Sequence, residues 1–74
     1  MNRDALIQCV ELQLGRKAVK MADRFLEDLC IESIDMVFIL ASVESDTGLH
    51  IPEEVIPDLG TVEDLYNYIN SHKK

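Results

Sequence analysis

Ser33 is the side chain with the clearest chemical potential in this sequence, because acids flank it and an apolar run follows. Glu32 precedes it, and Ile34 and Asp35 come directly after it. A nucleophilic serine needs a base within hydrogen-bond reach and usually a third group that orients the base. Hydrolytic chemistry at Ser33 would therefore require a base from elsewhere in the chain to fold onto it.

Neither histidine is expected to reach Ser33. His50 falls about 20–25 Å further along a helix, and His72 lies in a terminal segment that we expect to fray. The carboxylates show neither calcium-loop nor zinc spacing, and Cys9 and Cys30 lack paired-cysteine spacing. We therefore expect reduced thiols, with Cys9 in the core, no metal site and no enzymatic activity.

A central helix is expected to position Ser33. Eight of the ten residues from Ile34 to Val43 are apolar, without Gly or Pro, which predicts a helix from near Ser33 to about Thr47. Gly48 is suited to a left-handed stop. At about 100° per residue the apolar side chains fall on two faces. The first face comprises Met36, Ile39, Leu40 and Val43, and the second comprises Ile34, Val37, Phe38 and Ala41.

The second apolar face is open to two interpretations. A central helix of a bundle can bury both faces, in which case Phe38 belongs to the core. Alternatively, the second face is exposed and docks a partner. A surface helix needs only one apolar stripe, so the second stripe requires one of these explanations.

Three further helices are expected around the central one. Asn2 and Gly15 would cap the first, and Thr61 begins a capping arrangement for the last. A short helix that begins near Pro52 is limited by Pro57. The predicted fold class is all-α, a small four-helix bundle with three longer helices, one short helix and a long loop between helices one and two. The side chains expected to reach the core are Leu6, Ile7, Cys9, Val10 and Leu14 in the first helix, Val19, Met21, Phe25, Leu26 and Leu29 in the loop of residues 16–31, and Val62, Leu65, Tyr66 and Ile69 in the last helix.

Charge is unevenly distributed along the chain. The net charge is −7, and residues 25–70 include eleven acids and no Lys or Arg. Nucleic acid needs a basic face and is not an expected partner, whereas basic protein surfaces suit these acids. Lys73 and Lys74 suit the negative end of the last helix.

The length of 74 residues fits one domain, residues 1–74, which we expect to be a monomer. The chain opens on Met1, Asn2, Arg3 and Asp4, with no basic leader or cleavable apolar stretch after it. No apolar run is long enough for a membrane helix. We therefore expect a cytoplasmic protein that makes no membrane contact.

Four segments resemble the acyl carrier protein family, and the resemblance covers nearly the whole chain. Family members look like Phe-x-x-Asp-Leu-Gly-x-Asp-Ser-Leu followed by an acidic helix. The matching segments here are Phe25–Leu29, Glu32–Asp35, Ile51–Glu54 and Thr61–Leu65, together with Tyr68 and Ile69. The position of the serine after a long loop, the order of the helices and the total length make the resemblance more specific than the four-residue motif alone.

The resemblance implies that Ser33 carries 4′-phosphopantetheine as a covalent cofactor, with Glu32, Ile34 and Asp35 around the attachment site. The arm would hold acyl groups as thioesters for separate fatty-acid, polyketide or specialised lipid enzymes. A phosphopantetheinyl transferase would install the arm, so Ser33 needs no local base. The phosphodiester would lie at a helix N-terminus, where backbone N–H groups and the dipole favour negative charge. Docking to basic or mixed basic and apolar enzyme surfaces is expected to involve Ile34, Asp35, Val37, Phe38, Ala41 and Glu44.

Several residues depart from the family pattern. Glu32 stands where Asp is usual, Ile34 where Leu is usual, and Cys30 where Gly is usual. Cys30 adopts a positive φ less readily than glycine, so we expect the loop to run differently there. Phe38 stands where relatives in fatty-acid synthesis commonly have an acid, so a dedicated carrier for a specialised pathway fits as well as a housekeeping one.

Two alternatives remain. Ser33 itself could have a purely structural role as a plain N-cap. In the first alternative function, the chain is a small helical adaptor without a covalent arm. That adaptor would bind its partner through Ile34, Val37, Phe38 and Ala41. In the second, the chain is a peptidyl carrier cut from a larger synthetase, against which Met1, the Lys-Lys ending and the absence of Gly-Gly before the serine argue.

Overall fold

The computed structural model describes residues 1–72, and the regular elements in that range are all helical. They are α1 (Arg3–Leu14), α2 (Ser33–Thr47), a 3₁₀ helix (Glu53–Asp58) and α3 (Val62–Ser71). A long loop separates α1 from α2. The structure thus confirms the predicted all-α four-helix bundle. The predicted placement of Lys73 and Lys74 at the negative end of α3 lies outside the described residues.

Side-chain and glycine caps fix the helix ends as predicted. Asn2 Oδ1 accepts from the Ala5 N–H at 2.8 Å, and both predicted stop glycines are left-handed. At the start of α3, Thr61 Oγ1 accepts from the Asp64 N–H at 3.0 Å, and the Asp64 carboxylate accepts from the Thr61 N–H at 3.1 Å. These bonds satisfy N–H groups that have no partner within the helix, so they define where each helix begins.

One face of α2 forms the centre of the hydrophobic core. Its buried residues are the four predicted ones, Met36, Ile39, Leu40 and Val43. The other elements cover this face with Leu6 and Val10 from α1, Val19, Phe25, Leu29 and Ile31 from the loop, and Val62, Leu65 and Ile69 from α3. Burial of each large aliphatic side chain contributes about 1.5–3 kcal/mol, so α2 is positioned by the contacts of its inner face.

The long loop is tied to the start of α3 by three backbone hydrogen bonds of 2.8–3.1 Å. They join the Phe25 N–H to Gly60 O, the Val62 N–H to Asp23 O and the Glu63 N–H to Met21 O. The Phe25 and Leu29 side chains are buried beneath these bonds. The predicted anchoring of the loop on the core by these two residues is therefore confirmed.

Leu26 does not join that anchor, and its predicted burial was wrong. The Arg24 carbonyl accepts from the N–H groups of Asp28 and Leu29 at 2.9 and 3.0 Å, so this stretch forms a helix-like turn. Phe25 and Leu29, four residues apart, share the inner side of such a turn. Leu26 lies on the outer side and is 75% exposed.

The short helix also differs from its prediction. It runs through Pro57, which we expected to limit it, and Pro52 precedes the helix rather than lying in its first turn. A 3₁₀ helix uses i to i+3 hydrogen bonds, such as the one from the Leu59 N–H to Ile56 O at 3.0 Å. Pro57 has no N–H, so it removes only one hydrogen bond from this short helix. The helix therefore continues past Pro57.

The two faces of α2 should respond very differently to the same substitution. Ile39 is 0% exposed and Ile34 is 57% exposed. We expect Ile39→Ala to lower the free energy of unfolding by about 2–5 kcal/mol, because it removes core contacts and leaves a cavity. Ile34→Ala, the matched control on the same helix, should change it by less than about 0.5 kcal/mol. Urea unfolding followed by circular dichroism measures both, and equal losses would contradict the assignment of faces.

Candidate functional site

Ser33 is the first residue of α2, and it is exposed. Glu32 occupies the N-cap position, and its N–H donates to Asp35 Oδ2 at 3.2 Å. Ser33 is therefore not the plain N-cap that a purely structural role predicted. The first N–H groups of a helix lack intrahelical partners, so the backbone at this end of α2 contributes partial positive charge where the Ser33 hydroxyl lies.

An ion-paired turn precedes Ser33 in the chain. The Asp28 carboxylate accepts from the Arg24 N–H at 2.8 Å, and the Arg24 guanidinium lies 2.6 Å from Glu27 and 3.4 Å from Asp28. The Arg24 N–H, assisted by the guanidinium, lowers the pKa of Asp28. These contacts hold the turn that delivers the chain to Ser33.

Cys30 has a left-handed backbone, with φ of 52°. It is exposed, and its thiol lies 3.9 Å from the Glu27 carbonyl, a weak contact. Cys30 thus adopts a conformation that costs an L-residue roughly 1–2 kcal/mol. The neighbouring anchors, Leu29 and Ile31, are both buried, so packing on either side holds Cys30 in this conformation.

Cys9 lies at the edge of the core. It is a free thiol that is partly buried and packs against the buried cluster. Burial raises the pKa of the Cys9 thiol. A thiol of raised pKa is a poor nucleophile at neutral pH, so Cys9 has a packing role, in line with the prediction.

An apolar hollow of about 460 Å³ adjoins Ser33. Its wall includes the apolar side chains of Phe25, Leu26, Ile31, Met36, Ile56 and Pro57. Arg24, Glu27 and Glu32 also line it. A flexible group attached at Ser33 would thus have apolar surface and charged groups directly beside it.

The second apolar face of α2 is exposed. Phe38 is 48% exposed, and Ile34, Val37 and Ala41 are exposed beside it. The interpretation that placed Phe38 in the core is therefore excluded. Large apolar side chains grouped on an exposed helix face are typical of a protein-binding surface.

Glu44 has contacts within the chain at the other end of this helix. Its carboxylate accepts from the Ile51 N–H at 2.6 Å and lies 3.1 Å from His50 Nδ1. Glu44 therefore holds the segment that leaves α2, in addition to adding negative charge to its surface. Asp35 likewise serves the helix start through its bond with Glu32.

The structure brings Ser33 together with Glu32, Ile34 and Asp35 but not with either histidine. Glu44, which contacts His50, lies about 16 Å along α2 from Ser33 at about 1.5 Å per residue. His72 stacks on Tyr68 at the end of α3. Within residues 1–72 no three potential ligands are grouped to hold a metal ion, and none of the helices is both long and apolar enough to cross a membrane.

Sequence reasoning missed one exposed residue beside Ser33, namely Leu26. It lines the hollow beside Ser33 and is almost wholly exposed. The four-residue spacing of Phe25 and Leu29 would place Leu26 on the outer side of a helical turn, but the sequence does not show that this stretch of the loop forms one.

These features define a small helical carrier domain, with an exposed serine at the start of its central helix and no histidine beside it among residues 1–72. Residues 4–69 match the protein family described as "Phosphopantetheine attachment site". The chain belongs to the acyl carrier protein family, whose cofactor is phosphopantetheine. This family membership does not favour the alternative of an unmodified helical adaptor.

Three relatives bear the name acyl carrier protein. The one from Kocuria rhizophila is 39% identical over 61 residues, covering 82% of this chain and 75% of its own. The one from Campylobacter jejuni strain RM1221 is 34% identical over 64 residues, covering 86% and 83%. The one from Zymomonas mobilis is 37% identical over 49 residues, covering 66% and 63%.

Replacing Cys30 with glycine should relieve the strain of the left-handed backbone at this position. We expect Cys30→Gly to raise the free energy of unfolding by about 0.5–1 kcal/mol, because the strain removed exceeds the added entropy of the unfolded glycine. Cys30→Ala keeps the Cβ atom and removes the thiol, so it should give no such gain. Chemical denaturation of the three proteins provides the comparison, and a gain for Cys30→Ala equal to that for Cys30→Gly would assign the effect to the thiol instead.

Proposed function

We propose that Ser33 carries the 4′-phosphopantetheine arm, and that residues 1–74 form one acyl carrier domain which presents acyl thioesters to separate enzymes. The observation that carries this proposal is the position of Ser33: exposed, first in α2, and inside the segment that matches the family. The domain acts as a cytoplasmic monomer without nucleic-acid partners, and the conversions of the acyl group occur on the partner enzymes.

The helix start suits a phosphodiester at this position. Ser33 lies among the first residues of α2, where N–H groups without helical partners favour an anion. Glu32 and Asp35 complete their cap with each other, so the Ser33 oxygen is left for modification. When bound, the arm supplies a thiol that forms thioesters with acyl groups.

The loading step uses the Ser33 hydroxyl as nucleophile. A transferase removes the hydroxyl proton, a bond forms between Ser33 Oγ and the phosphorus that carries pantetheine in coenzyme A, and the adenosine bisphosphate leaves. This chain supplies the oxygen and the position, while the transferase supplies the base. The absence of a histidine beside Ser33 in the described residues is therefore compatible with the reaction.

Intact-mass spectrometry tests the assignment. With a broad-specificity phosphopantetheinyl transferase and coenzyme A, we expect the wild type to gain the mass of one arm and Ser33→Ala to gain none. Ser45→Ala is the matched control, because Ser45 is an exposed serine of the same helix. No gain in the wild type, or an equal gain in Ser33→Ala, would refute the assignment.

Partner enzymes dock, in this proposal, on the exposed apolar face of α2 with its acidic surroundings. The residues are Ile34, Asp35, Val37, Phe38, Ala41 and Glu44. A shallow groove joins Val37 and Ala41 to the acids Glu44, Glu53 and Glu54. An apolar strip with an acidic border complements an enzyme surface that has an apolar recess and basic residues around it. Phe38 supplies an apolar contact at this surface, which fits partners of a specialised pathway as well as those of a housekeeping one.

Phe38→Glu should weaken docking without unfolding the domain. Burial of the aromatic ring at an interface contributes about 2–3 kcal/mol, whereas a rim ion pair contributes about 0–1 kcal/mol. We expect the Kd for the carrier's own enzymes to rise by one to two orders of magnitude, at about 1.4 kcal/mol per tenfold. Isothermal titration calorimetry measures the affinity.

Ser45→Glu is the control for that experiment, because it adds the same charge to an exposed position further along α2. It should leave the affinity nearly unchanged. Thermal melts of both variants should match the wild type, since Phe38 is half exposed. Unchanged affinity in Phe38→Glu, or a large fall in its melting temperature, would contradict Phe38 as a docking residue.

A further inference from the structure

Leu26 stands out among the exposed side chains because it faces solvent from a rigid loop beside Ser33. It is 75% exposed, and it lines the same 460 Å³ hollow as Ser33 and Glu32. The family pattern and the predicted docking face of α2 both leave it without a role. We infer that Leu26 is a docking residue for the phosphopantetheinyl transferase that loads Ser33. Leu26 lies on the long loop and not on the apolar face of α2. This inference rests on the proposed attachment at Ser33.

The loop holds Leu26 in a fixed position. The Arg24 carbonyl accepts two backbone N–H groups, the Arg24 N–H binds the Asp28 carboxylate, and the Ile31 N–H donates to Phe25 O at 3.0 Å. Phe25, the preceding residue, is buried and bonded to Gly60. A side chain displayed from such a turn is preorganised, so a partner that covers it loses little conformational entropy.

Access to Ser33 explains why the transferase is the partner that covers Leu26. Ser33 Oγ must enter the transferase active site before any arm exists, so the transferase surface has to close around the residues bordering Ser33. Leu26 and Ile34 border it from two elements, the loop and α2, and both are largely exposed. Enzymes that act on the finished carrier reach the thiol at the end of a long arm and have no equal need to cover the hollow.

Charge around Leu26 fits the same partner chemistry. Glu27 and Glu32 are exposed and line the hollow with it, while Arg24 is engaged with Glu27 and Asp28. Two carboxylates and one guanidinium therefore line the hollow with Leu26, so the border of this apolar side chain carries a net negative charge. This surface complements an apolar recess on the transferase that has basic residues around it.

The test compares two exposed leucines in the loading reaction. With a broad-specificity phosphopantetheinyl transferase and coenzyme A, Leu26→Ser should lower kcat/KM for arm transfer about tenfold, which corresponds to about 1.4 kcal/mol. The loss should come mainly from a higher KM for the carrier, because Leu26 contributes binding and not chemistry. Leu12→Ser is the matched control: Leu12 is 84% exposed, lies on α1 and does not line the hollow of Ser33.

The outcomes separate this inference from the proposed function. Loading of Leu26→Ser at the wild-type rate, with Ser33 still modified, overturns the role of Leu26 and leaves the attachment site intact. Equal slowing of Leu26→Ser and Leu12→Ser also overturns it, since the effect would then be general to the surface. A wild type that takes no arm overturns both proposals. Unchanged melting temperatures of both variants, with slow loading only in Leu26→Ser, support the inference.

Discussion

Burial of one face of α2 is the interaction on which the rest of the structure depends. Met36, Ile39, Leu40 and Val43 share one buried cluster with side chains of α1, the loop and α3, and α1 packs directly along this helix. A domain of 74 residues buries only a moderate share of its surface on folding. It therefore has few alternative ways to fill its core. The central helix cannot rotate about its axis without losing these contacts, and this fixes which residues face outward.

The exposed surface that we propose for docking follows from the same constraint. With the inner face of α2 fixed, Ser33 must lie at the exposed start of the helix, and Ile34, Val37 and Phe38 must face solvent. The strongly apolar composition of α2 thus serves two purposes, one in the core and one on the surface. The absence of Lys and Arg from residues 25–70 makes the charge of this part of the chain strongly negative. Both properties suit a carrier that several enzymes must bind in turn.

Periodicity and caps made most of the fold predictable. The bounds of α2, the stops at Gly15 and Gly48, and the cap at Thr61 depend on short-range spacing and local backbone bonds, which a sequence records directly. Spacing and local backbone bonds could not decide whether Phe38 is exposed, because α2 has two apolar faces and either one could meet the core. The turn at Arg24 and the 3₁₀ path through Pro57 were missed for a related reason. Both depend on backbone bonds within irregular segments, and helical periodicity says little about those.

The three hydrogen bonds between the loop and the start of α3 also determine how the hollow beside Ser33 can change shape. They join the loop wall, with Phe25, to the first turn of α3, so these two segments can move only together. The opposite wall contains Ile56 and Pro57 of the 3₁₀ helix, an element without a single fully buried residue. Few contacts resist displacement of such an element, so its local opening costs less than that of the loop wall. We therefore expect any widening of the hollow to displace the 3₁₀ wall more than the loop wall.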